Sequence, residues 1–196
     1  VHPGFNDLWG FGRRAITMKP QELEYMVAYQ IGALQAMASY SGVKVTHLKP
    51  HGALNNMAAV DADYATAVGR AIKTVDPSII YVALSGSEME KASRKLGLKT
   101  ALEGFCDRHY EDDGNLTPRK FADAMIKDVD KAARQVVDMV TTGEFLSRHG
   151  KPIKVKVDTL CLHGDEPTAV AFARKIRAAL EGAGVKIVQI PEMQLS

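Results

Sequence analysis

About five times along this chain a short apolar run alternates with a stretch whose apolar residues recur at helical spacing, and the connections between them are brief. Strands that are apolar throughout are buried on both faces, and helices supply that cover when consecutive strands run parallel. The chain therefore reads as α/β with a parallel sheet. The predicted strands are Val43–Leu48, Ile79–Leu84, Lys99–Phe105, Val155–Leu162 and Val185–Ile190. Residues 20–40 form the first predicted helix, with Leu23, Met26, Val27, Ile31 and Leu34 on one face and Pro20 in the first turn. Residues 61–75 form the second. Ser87 and Glu90 have the spacing of a capping box at the start of a third, which Gly97 stops. Val129, Ala132, Ala133, Val136, Val137 and Val140 mark a fourth, and residues 167–182 a fifth with Val170, Ala173, Ile176 and Leu180 inward. Residues 106–127 read as irregular, with a turn at Asp113-Gly114. The alternation alone does not separate an open doubly wound sheet from a closed or distorted barrel.

With 196 residues and no linker or repeat, residues 1–196 read as one domain. Hydrophobic residues make up 46% and charged ones 24%, the balance of a soluble globular protein. A net charge of +2 with scattered Lys and Arg gives no field that favours nucleic acid or an anionic membrane, and neither is expected as a partner. No run approaches the ~20 apolar residues of a membrane-spanning helix. Cys106 and Cys161 build no disulfide framework and suit a cytoplasmic location. The chain opens on the turn-like Val1-His2-Pro3-Gly4, from which a further N-terminal portion is expected.

In parallel α/β folds, function gathers where strands end and helices begin. Those positions carry His2, Lys49 and His51, Ser85, Glu103 with Asp107 and Arg108, and His163 with Asp165. The opposite ends carry mainly glycines, so one polar cleft on one face of the sheet is expected. His51 and His163 directly follow apolar runs, which puts a functional role ahead of helix capping. His149, between Arg148 and Lys151, reads as a turn residue, His109 as surface, and His47 stays open between core and site. Glu103 and Asp107 suit acid–base work or a divalent ion, with an Asp107–Arg108 loop network as the alternative. Asp158, inside an apolar strand, is a further candidate. Gly10 to Ala15 fits G-x-G-x-x-A but lies away from any strand-to-helix turn. It reads as a loop whose Arg13 and Arg14 hold a carboxylate or phosphate.

"HPGF.D..GFGRR", "YQIGAL", "H.KPHGAL.N", "GSE", "E.F.DR.Y..DG.L..R" and "CLHGD" follow one another in this order. Together they resemble the LamB/YcsF lactam-utilisation family, across nearly the whole chain. The resemblance implies a distorted (β/α) barrel of the polysaccharide-deacetylase-like type. It implies ATP-dependent opening of 5-oxo-L-proline to L-glutamate by a cytoplasmic bacterial protein working with two other 5-oxoprolinase subunits. It also implies roughly sixty further N-terminal residues, an estimate consistent with missing barrel strands, carrying "D.GE" and "CGFHAGD" motifs that this sequence lacks. Asn55 stands where the family usually has Tyr, and Cys106 where it usually has Ala.

On this reading His51 or His163 is the base, oriented by Asp165 or Glu103. His2, Lys49 and Arg13 or Arg14 hold the substrate carboxylate or the phosphate, and Asp107 and Arg108 order the loop or help bind a cation. A second reading is a metal-dependent hydrolase with His2, His51 or His163 as ligands, although no H-E-x-x-H or C-x-x-C spacing supports it. A third is a non-catalytic lactam-binding subunit. Self-association is compatible with all three.

Overall fold

The computed structural model describes residues 1–164 and 167–195. It divides into two compact units, Val1–Ala101 together with Gln194 and Leu195, and Leu102–Met193. The division falls inside a strand, and each unit has parallel strands covered by helices.

In the first unit α1 spans Pro20–Tyr40. Its first turn is closed by Glu22, whose carboxylate accepts the Lys19 N–H, and it buries Leu23, Val27 and Ile31 completely. β1 is only His47–Leu48 and pairs in parallel with β2, Ile80–Leu84, through His47↔Ile80 and Leu48↔Tyr81. The predicted strand is thus shorter at its start, because Val43 is exposed and the bonding to β2 begins only at the Thr46 carbonyl. β2 is buried at every position, as its unbroken apolar character requires. The strand order runs β1-β2-β3, with β3 spanning Thr100–Phe105.

A helix absent from the sequence reading, α2 at Gly52–Val60, follows β1 directly. α3, Ala62–Val75, starts where Asp61 accepts the N–H groups of Asp63 and Tyr64. α4 is Glu88–Leu96 and ends on Gly97 in the left-handed region. Its predicted capping box does not form. Ser87 Oγ donates back to the Leu84 carbonyl, and Glu90 accepts the Gly86 N–H instead.

In the second unit β3 pairs in parallel with β6, Thr159–Cys161, with Phe105 opposite Cys161. Of the predicted strand Val155–Leu162 only Thr159–Cys161 forms, and a separate short strand precedes it. β5, Pro152–Lys154, runs antiparallel to β4, Glu144–Leu146, and the turn between them carries His149. α5, Val129–Thr141, is capped by Asp128, and α6 is Ala169–Gly182. Their shared core holds Cys106, Ile126, Ala132, Ala133, Val136, Phe172, Ile176 and Leu180. α6 buries Phe172 where Val170 and Ala173 were expected, so its inward face is rotated toward the aromatic ring. Val185–Ile190 is not a strand. Its last residue opens a 3-10 turn, Ile190–Glu192.

Candidate functional site

The first unit brings His2, Lys49 and His51 together, and backbone pairing does it. Lys49 N–H donates to the Val1 carbonyl at 2.9 Å and His51 N–H to the Pro3 carbonyl at 2.8 Å, so residues 1–3 lie alongside the end of β1. His2 Nδ1 then meets the Lys49 carbonyl at 2.7 Å, and its Nε2 meets His51 Nδ1 at 2.9 Å. His51 Nε2 reaches the Phe11 carbonyl at 2.6 Å. Desolvation of the His2 ring lowers its pKa to about 4 against the opposing bond to Lys49, helped by the nearby charges of His51, Lys49 and the amino terminus.

The loop that supplies the Phe11 carbonyl is built on Asp7. Its carboxylate accepts the Gly10 N–H and pairs with Arg14, which holds it down to about 2. Arg14, expected to bind substrate, is thus engaged within the loop, and Asp7 is a residue the sequence reading missed. Arg13 lies over the Phe11 ring, 5.5 Å from its centroid. Two glycines allow loop and helix start to touch. A Cβ at Gly12 would lie 2.9 Å from the His51 ring, and one at Gly52 would lie 2.7 Å from the Gly12 carbonyl oxygen. Both have positive φ.

The second unit joins Asp107 and His163. Each lies two residues past the paired Phe105 and Cys161, so the parallel register carries them to the same level. Asp107 accepts both the His163 N–H, at 3.1 Å, and the ring Nδ1, at 2.8 Å. Phe105 stacks on the ring. Burial opposes ionisation of Asp107, but the His163 bonds outweigh it and hold the carboxyl below its usual range. With the proton fixed on Nδ1, the Nε2 lone pair of His163 is the acceptor. Its side chain retains 20% exposure. This is the geometry of a general base held by a carboxylate.

Among the described residues the carboxylate hydrogen-bonded to the His163 ring is Asp107. Glu103 is buried inside β3, and Asp165 lies outside the described residues. Arg108, read as ordering the loop or helping to bind a cation or substrate, is buried and donates to the Thr117 and Ala124 carbonyls, so it holds the 107–126 loop. Asp158 is likewise structural, accepting the Leu102 N–H at 2.9 Å. For His109, Nδ1 meets the Asp123 carbonyl and Nε2 meets Lys131. Among the described residues no three His, Cys, Asp or Glu side chains are grouped to hold an ion, and both ring nitrogens of His2 and His51 are engaged in hydrogen bonds.

Among the described residues no helix is long and apolar enough to cross a membrane. The solved structure of a lactam utilization protein from Thermus thermophilus superposes with a TM-score of 0.87 at 43% identity, over 95% of this chain and 74% of that one. The A subunit of 5-oxoprolinase from Heliobacterium modesticaldum is 50% identical over 187 residues, 95% of this chain and 74% of the relative. Its counterpart from Bacillus subtilis is 46% identical over 194 residues, 99% of this chain and 76% of the relative. The LamB/YcsF family model matches residues 1–195. This chain belongs to the LamB/YcsF family.

Proposed function

We propose that this protein is the A subunit of an ATP-dependent 5-oxoprolinase. In this reading it opens the lactam of 5-oxo-L-proline to L-glutamate in the cytoplasm, with ATP as co-substrate and two further subunits, B and C, completing the assembly. The substrate class is supported by the names of relatives about half identical to this chain. The chemistry is supported by one observation above the rest, the Asp107–His163 pair.

An amide resists hydrolysis because resonance gives its C–N bond partial double-bond character. Attack on its carbon requires a water that loses a proton as it adds. His163 takes that proton at Nε2. Asp107 holds the ring in the tautomer that leaves Nε2 free of hydrogen and stabilises the charge the ring acquires. Phosphorylation of the lactam oxygen by ATP would make the carbon more electrophilic; once water has added, the C–N bond breaks as the ring nitrogen takes up a proton, leaving an acyl phosphate of glutamate that a second water hydrolyses to L-glutamate and phosphate.

The test is glutamate release from 5-oxoproline by the purified protein, with and without ATP and the two partner subunits. Release that requires all components is expected, and His163→Ala in the same assembly should lower turnover about a hundredfold or more. No release from the full set of folded proteins would overturn the reading. Full activity in the His163→Ala variant would remove His163 from the chemistry.

A further inference from the structure

The second unit contains a cavity of about 360 Å³ that the chemistry proposed above does not use. α5 lines it with Lys131, Arg134 and Gln135, the β4–β5 hairpin with Leu146 and Arg148, and the loop after β3 with His109. Its size is at the lower end of small-molecule sites. Three cations share the lining with two carboxylates, Asp123 and Asp138. Arg148 is already engaged. It donates to Glu111 at 3.1 Å, pairs with Asp123 at 3.5 Å and lies over the Phe121 ring. Asp123 is thus taken up, and only Asp138 is left in the lining to balance Lys131 and Arg134.

Neither of those two cations is in contact with a carboxylate among the described residues. Lys131 Nζ lies 3.1 Å from His109 Nε2, and an ammonium group only donates, so the ring nitrogen is the acceptor. The other ring nitrogen, Nδ1, meets the Asp123 carbonyl at 2.6 Å. Arg134 makes no side-chain hydrogen bond or close ion pair among the described residues. Asp130, one turn before it, is taken by Lys175 at 2.8 Å. Lys131 and Arg134 stand three residues apart on α5, where like charges are neighbours and destabilise a helix. An anion between them removes that cost. The guanidinium fork of Arg134 and the N–H groups that Lys131 has left are donors without acceptors. A phosphoryl group, with three strong acceptor oxygens, satisfies more of them than a carboxylate with two.

We propose that this cavity binds a small phosphate monoester, with its phosphoryl group between Lys131 and Arg134 and its organic part against the hairpin at Leu146. Leu146 is 60% exposed beside these charges and supplies an apolar wall. A cavity of this size also holds more than a free phosphate. Neither Asp107 nor His163 takes part, so the site stands apart from the lactam chemistry.

The experiment is a titration of the intact protein at low ionic strength with phenyl phosphate, benzoate and inorganic phosphate, read by calorimetry and by the amide resonances of His109, Lys131, Arg134 and Arg148. Saturable one-to-one binding of phenyl phosphate is expected, centred on those amides and weakened by salt. Inorganic phosphate should bind through the same residues but more weakly, and benzoate should not compete. Arg134→Ala and Lys131→Ala should each weaken phenyl phosphate binding about tenfold, the scale of a charge-assisted hydrogen bond. Both side chains are exposed, so both variants should melt with the wild type, and Arg134→Lys should recover part of the affinity. No saturable binding of phenyl phosphate, or binding unchanged in the Lys131→Ala/Arg134→Ala double variant, would overturn the site. Equal binding of benzoate would overturn its assignment to a phosphoryl group. Inorganic phosphate binding as tightly as phenyl phosphate would mark an adventitious ion only. His163→Ala should bind phenyl phosphate as the wild type does, whatever becomes of glutamate release, which separates this test from that of the enzymatic reading.

Discussion

His163 can accept a proton at Nε2 only while Nδ1 carries the other one, and a carboxylate in hydrogen-bonding contact with Nδ1 is what fixes that choice. Asp107 and His163 therefore act as a unit, and groups that act as a unit lose their effect together. His163→Ala and Asp107→Asn should each lower turnover about a hundredfold or more. The double variant should be no slower than His163→Ala alone, and a multiplicative loss in the double variant would show that the two residues work independently. His163 itself was legible in the sequence, because it follows an apolar run at a strand end. Its partner was not. Asp107 is 56 residues away, and the pairing appears only when the β3–β6 register sets Phe105 against Cys161. The sequence offered Asp165 and Glu103 for that place, and Glu103 lies opposite Thr159, four residues short of His163. The Phe11 carbonyl on His51 could not have been foreseen from side-chain types, since a backbone atom supplies it.

At the scale of elements, apolar periodicity gave the long helices α1, α3 and α5 and the fully buried β2 within a residue or two, because each buries enough of one face to reveal its period. It failed where burial is partial. β6 is half-buried and only three residues long, so the run from Val155 overstated it, and the largely exposed β5 just before that run went unread. α2 was hidden by Asn55-Asn56, which favour turns in isolation but here lie in a helix that buries Asn55 together with Ala53, Leu54, Ala58 and Ala59. The expected last strand has an apolar sequence but no strand partner among the described residues. β3 offers a sharper test of the packing. Its Gly104 faces α5, and a Cβ there would lie 2.9 Å from Val157 Cγ1 and 3.3 Å from Met139 Sδ. Gly104→Ala should therefore destabilise the protein by about 1–3 kcal/mol, the scale of overpacking a filled core. Chemical denaturation measures it, and an unchanged or raised midpoint would mean the neighbours yield and the strand is not closely packed there.

At the scale of the whole molecule, ionisable groups on both units respond to pH in a consistent way, and the sign can be worked through group by group. Ser78 holds Asp76 below its ordinary range, Arg14 holds Asp7 there, and the His163 bonds hold Asp107 there against its burial. Asn115 and Lys175 do the same for Asp113 and Asp130. In the unfolded chain these carboxyls titrate near about 3.9. Their contribution is therefore complete above that pH and is lost as pH falls through the lower folded values. His2 adds to the same trend at higher pH. Its folded pKa of about 4 lies below the unfolded value of ~6.5, so the unfolded chain binds more protons throughout that interval. That contribution is the smaller, because His2 is an exposed residue and water screens its surroundings. At the alkaline end burial raises the Tyr81 and Tyr110 phenols. The unfolded chain releases those protons near about pH 10 while the folded one keeps them, and stability falls as pH rises past that point. The urea midpoint should thus form a plateau between about pH 7 and 9. It should decline gently from about pH 6.5 and steeply below about pH 4, and fall again above about pH 10. A midpoint unchanged from pH 8 to pH 3.5 would show that these carboxylates gain nothing from their folded partners, the Asp107–His163 pair among them.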